Sequence, residues 1–306
     1  MKKGFVYAFI TALVFTTLEP VSKLIAEQVN PYAITFWRCM IGALVLMPFA
    51  LIRIKQQKIR IGLKDIGLLC VLGTLLICIS LVMLQIAVKK SDSPSLIAII
   101  FSSNSVLTIL LALIVLKEKM TKRKFLAVVL CVLGVLVCAD FSSGTNLISV
   151  VYGLIAALSL SLYTVLSKKY MKKIGGVIHT ALSFFFGSLV LLLGLLIIGI
   201  DILPTFTPTS ITLLIYLGIV VTGIGYWAYN MAIEKGGAMT ASLAFFIKPI
   251  LTPVVTFLIN GIVPEWNVFV AIVLIVSGSY LATYKSKQGE KCNENKRRCE
   301  IWWLRK

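Results

Sequence analysis

Ten apolar segments, each close to the length that carries a helix across a bilayer, fill this chain of 306 residues almost end to end. They run over 4–26, 31–52, 66–88, 93–116, 124–141, 148–170, 176–200, 209–233, 238–260 and 264–284. About 20 apolar residues rise ~30 Å as a helix, the thickness of a hydrocarbon core. No water is present there to take up backbone polar groups, so apolar spans of this kind are helical. The segments predict an all-α membrane protein of ten transmembrane helices. Only 14% of residues are charged, against about 25% in soluble domains. The connections are short, and no soluble domain fits between them.

The 30 basic and 12 acidic residues give a net charge of +18, which by itself is compatible with nucleic-acid binding. Their placement argues otherwise. With the N-terminus in the cytosol, 25 of the 30 Lys and Arg fall on inner segments and only Lys89 and Lys90 on outer loops. The charge is then a topology signal, with both termini cytosolic and basic residues held inside. The start, basic and then apolar, has the look of a signal peptide, but Glu19-Pro20 stands where a small-x-small cleavage site belongs. It is read as the first span of a protein of the cell membrane. Five of the seven cysteines (Cys39, Cys70, Cys78, Cys131 and Cys138) lie in apolar runs, where small hydrophobic packing is the expected role.

The chain also repeats. Shifted by 145 residues it aligns with itself without a gap from Tyr7 to Leu113. Tyr7 falls on Tyr152, Thr35 on Thr180, Gly42 on Gly187, Gly73 on Gly218 and Phe101 on Phe246. The units are 4–141 and 148–284, followed by a basic cytosolic tail over 285–306. Five helices per unit is an odd number, so the two units enter the membrane in opposite senses. Inverted repeats are a transporter architecture, with cargo held near the midplane where they meet.

The segment 240–259, TASLAFFIKPILTPVVTFLI, holds one charge, Lys248, at its centre. A mid-membrane lysine costs roughly 2.5–3.5 kcal/mol on insertion scales, so such a residue faces protein or a cavity. Pro249 and Pro253 each remove a backbone donor and predict a bent or opened helix there. Glu19, beside Pro20, and Arg38 lie at similar depth in the first two spans, which makes an ion pair between them geometrically feasible. That pair reads either as a proton- or cation-sensitive switch or as a fixed salt bridge joining two helices. Lys248 reads as a counter-charge for an anionic group, the alternatives being snorkelling or a pair with Glu19. Asn104 aligns with Pro249 and is expected near the midplane as a hydrogen-bonding group. Trp37, Tyr163, Tyr226 and Trp227 are aromatic candidates for a cavity wall; Tyr163 and Trp227 are taken with Lys248 and Asn104 as the substrate-binding set. Glu19, Arg38, Pro20, Pro249 and Pro253 form the coupling or gating set. His179 is expected at the membrane interface. No catalytic residue, metal site or cofactor is expected: P-loop, HExxH and GxSxG motifs are absent from the sequence.

These residues resemble the drug/metabolite transporter superfamily, as a ten-helix protein with two EamA-type domains. The likeness rests on Pro31, on Thr35-Phe36-Trp37-Arg38, on Pro48 and on the stretch 116–136 with Glu118 and Gly134. In the second unit it rests on Gly153, Thr180, Gly187, Gly218 and the run FFIKPILTPVV. Asn260-Gly261 stands where the second unit would carry a counterpart of Glu118, a departure from strict symmetry. The resemblance implies a secondary transporter of small organic solutes, amino acids or related metabolites, moved outward by alternating access. A broad exporter of cationic or lipophilic drugs and a non-transporting membrane sensor or scaffold are the alternatives. The expected partners are a small-molecule substrate and the lipid bilayer, not nucleic acid, with a homodimer left open.

Overall fold

The computed structural model describes residues 2–115, 122–139, 146–203, 207–236 and 238–283. Among them every regular element is a helix: α1 (Lys2–Thr16), α2 (Leu18–Ile25), α3 (Pro31–Gln57), α4 (Leu63–Thr74), α5 (Val82–Lys90), α6 (Pro94–Ser102), α7 (Asn104–Val115), α8 (Lys122–Ala139), α9 (Leu147–Ile174), α10 (Gly176–Ile198), α11 (Pro208–Tyr216), α12 (Gly225–Gly236), α13 (Ala238–Asn260) and α14 (Trp266–Thr283). Two π-helical segments, Leu75–Leu81 and Leu217–Ile224, join α4 to α5 and α11 to α12. Six stretches are long and apolar enough to cross a bilayer: Lys3–Ile25, Pro31–Gln57, Leu63–Lys90, Leu147–Ser167, Gly176–Ile198 and Pro208–Ala232. Four shorter apolar stretches, Pro94–Thr108, Phe125–Val137, Ile247–Asn260 and Trp266–Leu281, complete the set. The tail 285–306 and Glu118 lie outside the described residues.

Local chemistry sets the helix starts. Pro31, Pro94 and Pro208 each occupy the first turn of their helix, where an absent N–H has no partner to lose. Asn30 caps α3 by accepting from the Tyr32 N–H at 3.0 Å. At the same end of the bundle Lys23 Nζ donates to the Ser91 carbonyl at 2.7 Å and the Lys89 carbonyl at 3.2 Å. This places a cation on the C-terminus of α5, the favourable end of the helix dipole. Large apolar side chains cover the periphery: Leu258 and Ile198 are each more than 70% exposed. A water-soluble surface would not carry so many; a lipid-facing one would.

The two halves are threaded through each other. α1 of the first half packs on α12 and α13 of the second, and α9, the counterpart of α1, packs on α5, α6 and α7 of the first. α3 lies against its own counterpart α10, and α8 against α14. Glycines allow the closest approaches. Gly42 abuts Thr222 and the Gly218 carbonyl, while its repeat partner Gly187 abuts Gly73, the repeat partner of Gly218. The same contact is therefore made twice. Between α8 and α14, Gly134 meets Ala271 and Gly278 meets Ala127, again a reciprocal pair, now at an offset of 144. Small residues let apolar helices associate by close packing, since lipid offers no hydrophobic drive between them.

The π segments fall at matching places in the two halves. In the second, the Thr222 hydroxyl donates to the Leu217 carbonyl five residues back at 2.8 Å. Such widened turns are rare and cluster at functional sites.

A methyl group at Gly73 would overlap the Ser183 carbonyl, whereas one at Gly194 meets nothing within 4 Å. Overpacking of this kind costs about 1–3 kcal/mol. Gly73→Ala is expected to lower the melting temperature of the detergent-purified protein by several degrees, and Gly194→Ala to leave it unchanged or raised, as read by a thermal unfolding assay.

Candidate functional site

Lys248 sits near the middle of α13 and is 3% exposed. α13 continues unbroken through Pro249 and Pro253, so the opening expected there does not occur. The proline ring already holds a helical φ, and each proline forfeits only one backbone bond. The Lys248 carbonyl takes a further bond from the Thr252 hydroxyl at 2.7 Å.

The breaks lie elsewhere. α6 ends and α7 begins around Ser103, the repeat counterpart of Lys248. The Ser161 hydroxyl on α9 donates to the Asn104 carbonyl there at 2.8 Å. A second break at Thr17 separates α1 from α2. It puts Glu19 and Pro20 in the first turn of α2. Pro20 then loses no intrahelical bond, and the Glu19 carboxylate lies at the end of the helix dipole that favours negative charge. The Pro20 carbonyl accepts from Asn260 Nδ2 at 3.2 Å, tying α2 to the end of α13.

Glu19 is fully buried, and its Oε1 accepts from Lys248 Nζ at 2.6 Å. The expected contact of Glu19 with Arg38 is not made. Sequence depth placed the two at one height but did not fix the direction each faces: α2 turns Glu19 toward α13. Lys248 Nζ also lies 5.5 Å from the centroid of the Phe101 ring on α6, within cation–π range. Glu19 Oε2 has no hydrogen-bond partner among the described residues. Two buried charges pay a desolvation penalty that their attraction offsets only with good geometry and fully satisfied atoms. Here one carboxylate oxygen is left over, so stability alone is a weak reason for the pair.

Arg38 is 3% exposed and makes no ion pair among the described residues; its Nε and Nη1 lack hydrogen-bond partners. Tyr226 on α12 lies within electrostatic reach of both Arg38 and Glu19, and its ring packs on Phe15 and Phe184 at 5.0 and 4.9 Å. Tyr163 is buried on α9, and its hydroxyl lies 3.2 Å from His179 Nδ1. His179 is thus fully enclosed: α10 enters the bundle at Gly176, so a residue one turn in is already covered. Ser167 and Ser183 neighbour Tyr163, and Ser183 is the repeat counterpart of Arg38.

The remaining aromatic candidates serve the ends of the bundle. Trp227 stands edge-on to Tyr7 at 5.6 Å and near Phe49 at 6.4 Å. Tyr7 precedes Glu19 by twelve residues, about 18 Å of helical rise, so the Trp227 ring is directed toward the start of α1. Trp37 Nε1 donates to the Ile202 carbonyl at 2.9 Å. Phe101, Ser161 and Thr252 are site residues that sequence reasoning did not assign to the site; Phe101 stood out only as a repeat match to Phe246, and nothing set Ser161 and Thr252 apart from packing residues.

Similarity to known proteins covers the whole bundle. A family described as the EamA-like transporter family matches residues 2–139 and again residues 147–284. The chain is 35% identical over 306 residues to an uncharacterized transporter of Clostridium kluyveri, covering 97% of each protein. It is 27% identical over 256 residues to the uncharacterized transporter YdfC of Bacillus subtilis, covering 82% of this chain and 81% of that one. A solved crystal structure, 16% identical, matches 92% of this chain and 97% of its own with a TM-score of 0.65; at that identity it speaks for the fold alone. With both halves matched, this chain belongs to the EamA-like transporter family, within the drug/metabolite transporter superfamily.

Proposed function

We propose that the protein is a secondary transporter of the cell membrane, with ten spans in two inverted five-helix repeats. Its cargo is a small organic solute bearing both an amino and a carboxyl group, moved outward by alternating access. The reciprocal contacts of Gly42 with Gly218 and Gly187 with Gly73 support a two-fold relation between the halves. The bias of Lys and Arg supports cytosolic termini.

The observation that carries the reading is the buried contact between Glu19 of the first half and Lys248 of the second, with Glu19 Oε2 left without a hydrogen-bond partner among the described residues. A pair of opposite charges enclosed between the repeats matches a zwitterion charge for charge. The cargo's carboxylate replaces Glu19 at Lys248, and its ammonium group replaces Lys248 at Glu19. The exchange swaps one ion pair for two, so entry costs no uncompensated charge. Because the partners belong to different halves, parting them also loosens the two repeats locally and prepares the rocking that exposes the site to the other side. A quaternary-ammonium drug would satisfy Glu19 and leave Lys248 buried with no partner, which disfavours the cationic-drug reading.

Uptake of an amino-acid and organic-acid panel into proteoliposomes tests this. Lys248→Ala is expected to abolish flux, and Glu19→Gln to reduce it at least tenfold. Wild-type rates in both variants, with both monodisperse, would remove the pair from the transport cycle. Removing one member of a buried pair costs about 3–5 kcal/mol, so each single variant is also expected to melt well below wild type. Orientation has its own check. In a background without native cysteines, Asp92→Cys is expected to react with a membrane-impermeant maleimide on whole cells, and Lys235→Cys only after permeabilisation. The reverse pattern would invert the topology.

A further inference from the structure

Four charged side chains are buried among the described residues: Glu19, Arg38, Asp65 and Lys248. Asp65 pairs with Lys173 at 2.9 Å at the junction of α4 and α9. Glu19 pairs with Lys248. Among the described residues Arg38 has no ion-pair partner, and its Nε and Nη1 have no hydrogen-bond partner. A guanidinium stays protonated in proteins, so it cannot escape this position by losing its proton as a lysine can. An uncompensated buried cation is strongly unfavourable, and an intramembrane charge of this kind marks a cargo path by default.

Among the described residues no carboxylate forms an ion pair with Arg38. Tyr226 lies within electrostatic reach of both Arg38 and Glu19. Tyr163 is within electrostatic reach of Tyr226 in turn and neighbours the hydroxyls of Ser167 and Ser183 and the enclosed His179. A planar guanidinium with free N–H groups is the side chain best suited to grip a carboxylate by paired hydrogen bonds. The enclosed groups Glu19, Lys248 and Arg38 sum to a charge of +1.

We infer that the cargo carries a second acidic group, which seats on Arg38 while its amino and carboxyl groups take Glu19 and Lys248. The substrate class is therefore an amino acid with an acidic side chain, of net charge −1, for which Arg38 is the specificity-determining residue. This rests on the transport reading given above and refines it. Tyr226 is within electrostatic reach of both subsites, and its ring packs on Phe15 and Phe184. A neutral amino acid fills the Glu19–Lys248 subsite and leaves Arg38 uncompensated; a basic one adds a cation beside it.

Counterflow of labelled glutamate, leucine and lysine in proteoliposomes tests the inference, with wild type beside Arg38→Gln and Arg38→Lys. Wild type is expected to prefer glutamate over leucine by about ten- to a hundredfold, the range set by a charge-assisted hydrogen bond, and to exclude lysine. Arg38→Gln is expected to lose that preference while still moving leucine, and Arg38→Lys to keep part of it. Should Arg38→Gln fail to fold, the wild-type preference and the Arg38→Lys ratio decide alone. Leucine moved as well as glutamate by wild type overturns the inference and leaves the amino-acid transport reading standing. Failure of all three solutes to move overturns both.

Discussion

The Glu19–Lys248 contact is the interaction on which the arrangement of the two halves turns. It joins α2 to α13 in the interior, between side chains that are almost wholly out of solvent. Around it the backbone is adjusted to suit a charge pair. The helix break at Thr17 brings Glu19 to a helix start, where its charge is welcome. The break at Ser103 opens the segment carrying Phe101, whose ring faces the ammonium group. α13 stays helical through two prolines and carries Lys248 near its middle. A charged pair is a poor way to glue apolar helices, because hydrophobic residues of similar volume often stabilise as well or better. Its presence is most simply understood as a lock that cargo of matching charge can open.

The rest of the bundle supplies what such a lock requires: two bodies that touch closely yet are not fused. The first helix of each half is embedded in the other half. The crossings at Gly42, Gly73, Gly187 and Gly218 bring backbones together through small residues. Surfaces of this kind are smooth, and large interdigitating side chains would resist sliding more. The π segments lie in the same crossings, Leu75–Leu81 against α10 and Leu217–Ile224 against α3. A wider turn there gives a helix room to change its local winding.

Much of this was legible in the sequence, and the reasons for success and failure differ by level. Helical spans were visible because the bilayer fixes their length and their polarity. The internal repeat was visible because glycines at 42, 73, 187 and 218 hold a register that Leu and Ile coincidences cannot imitate; the structure shows these glycines meeting each other. Lys248 stood out as the only charge in twenty residues. What the sequence did not fix was direction around each helix axis. Rise per residue placed Glu19 and Arg38 at one depth, but whether α2 turns Glu19 toward α3 or α13 depends on packing, and α13 prevailed. The prolines of α13 did not open it for a related reason: a proline removes one hydrogen bond, and neighbouring helices decide whether the helix yields. The break fell instead at Ser103, whose flanking Asn104 carbonyl has an outside donor in Ser161. His179, one turn inside α10, looked peripheral along the chain and is enclosed in space.

The central claim is that the Glu19–Lys248 pair exists for cargo and not for stability. The double variant Glu19→Gln/Lys248→Gln separates these roles, because two facing amides replace two buried charges without leaving either unmatched. Its melting temperature and its amino-acid counterflow would be measured on the same preparation. The account predicts a protein about as stable as wild type that moves no solute. A stable double variant transporting at the wild-type rate would contradict it.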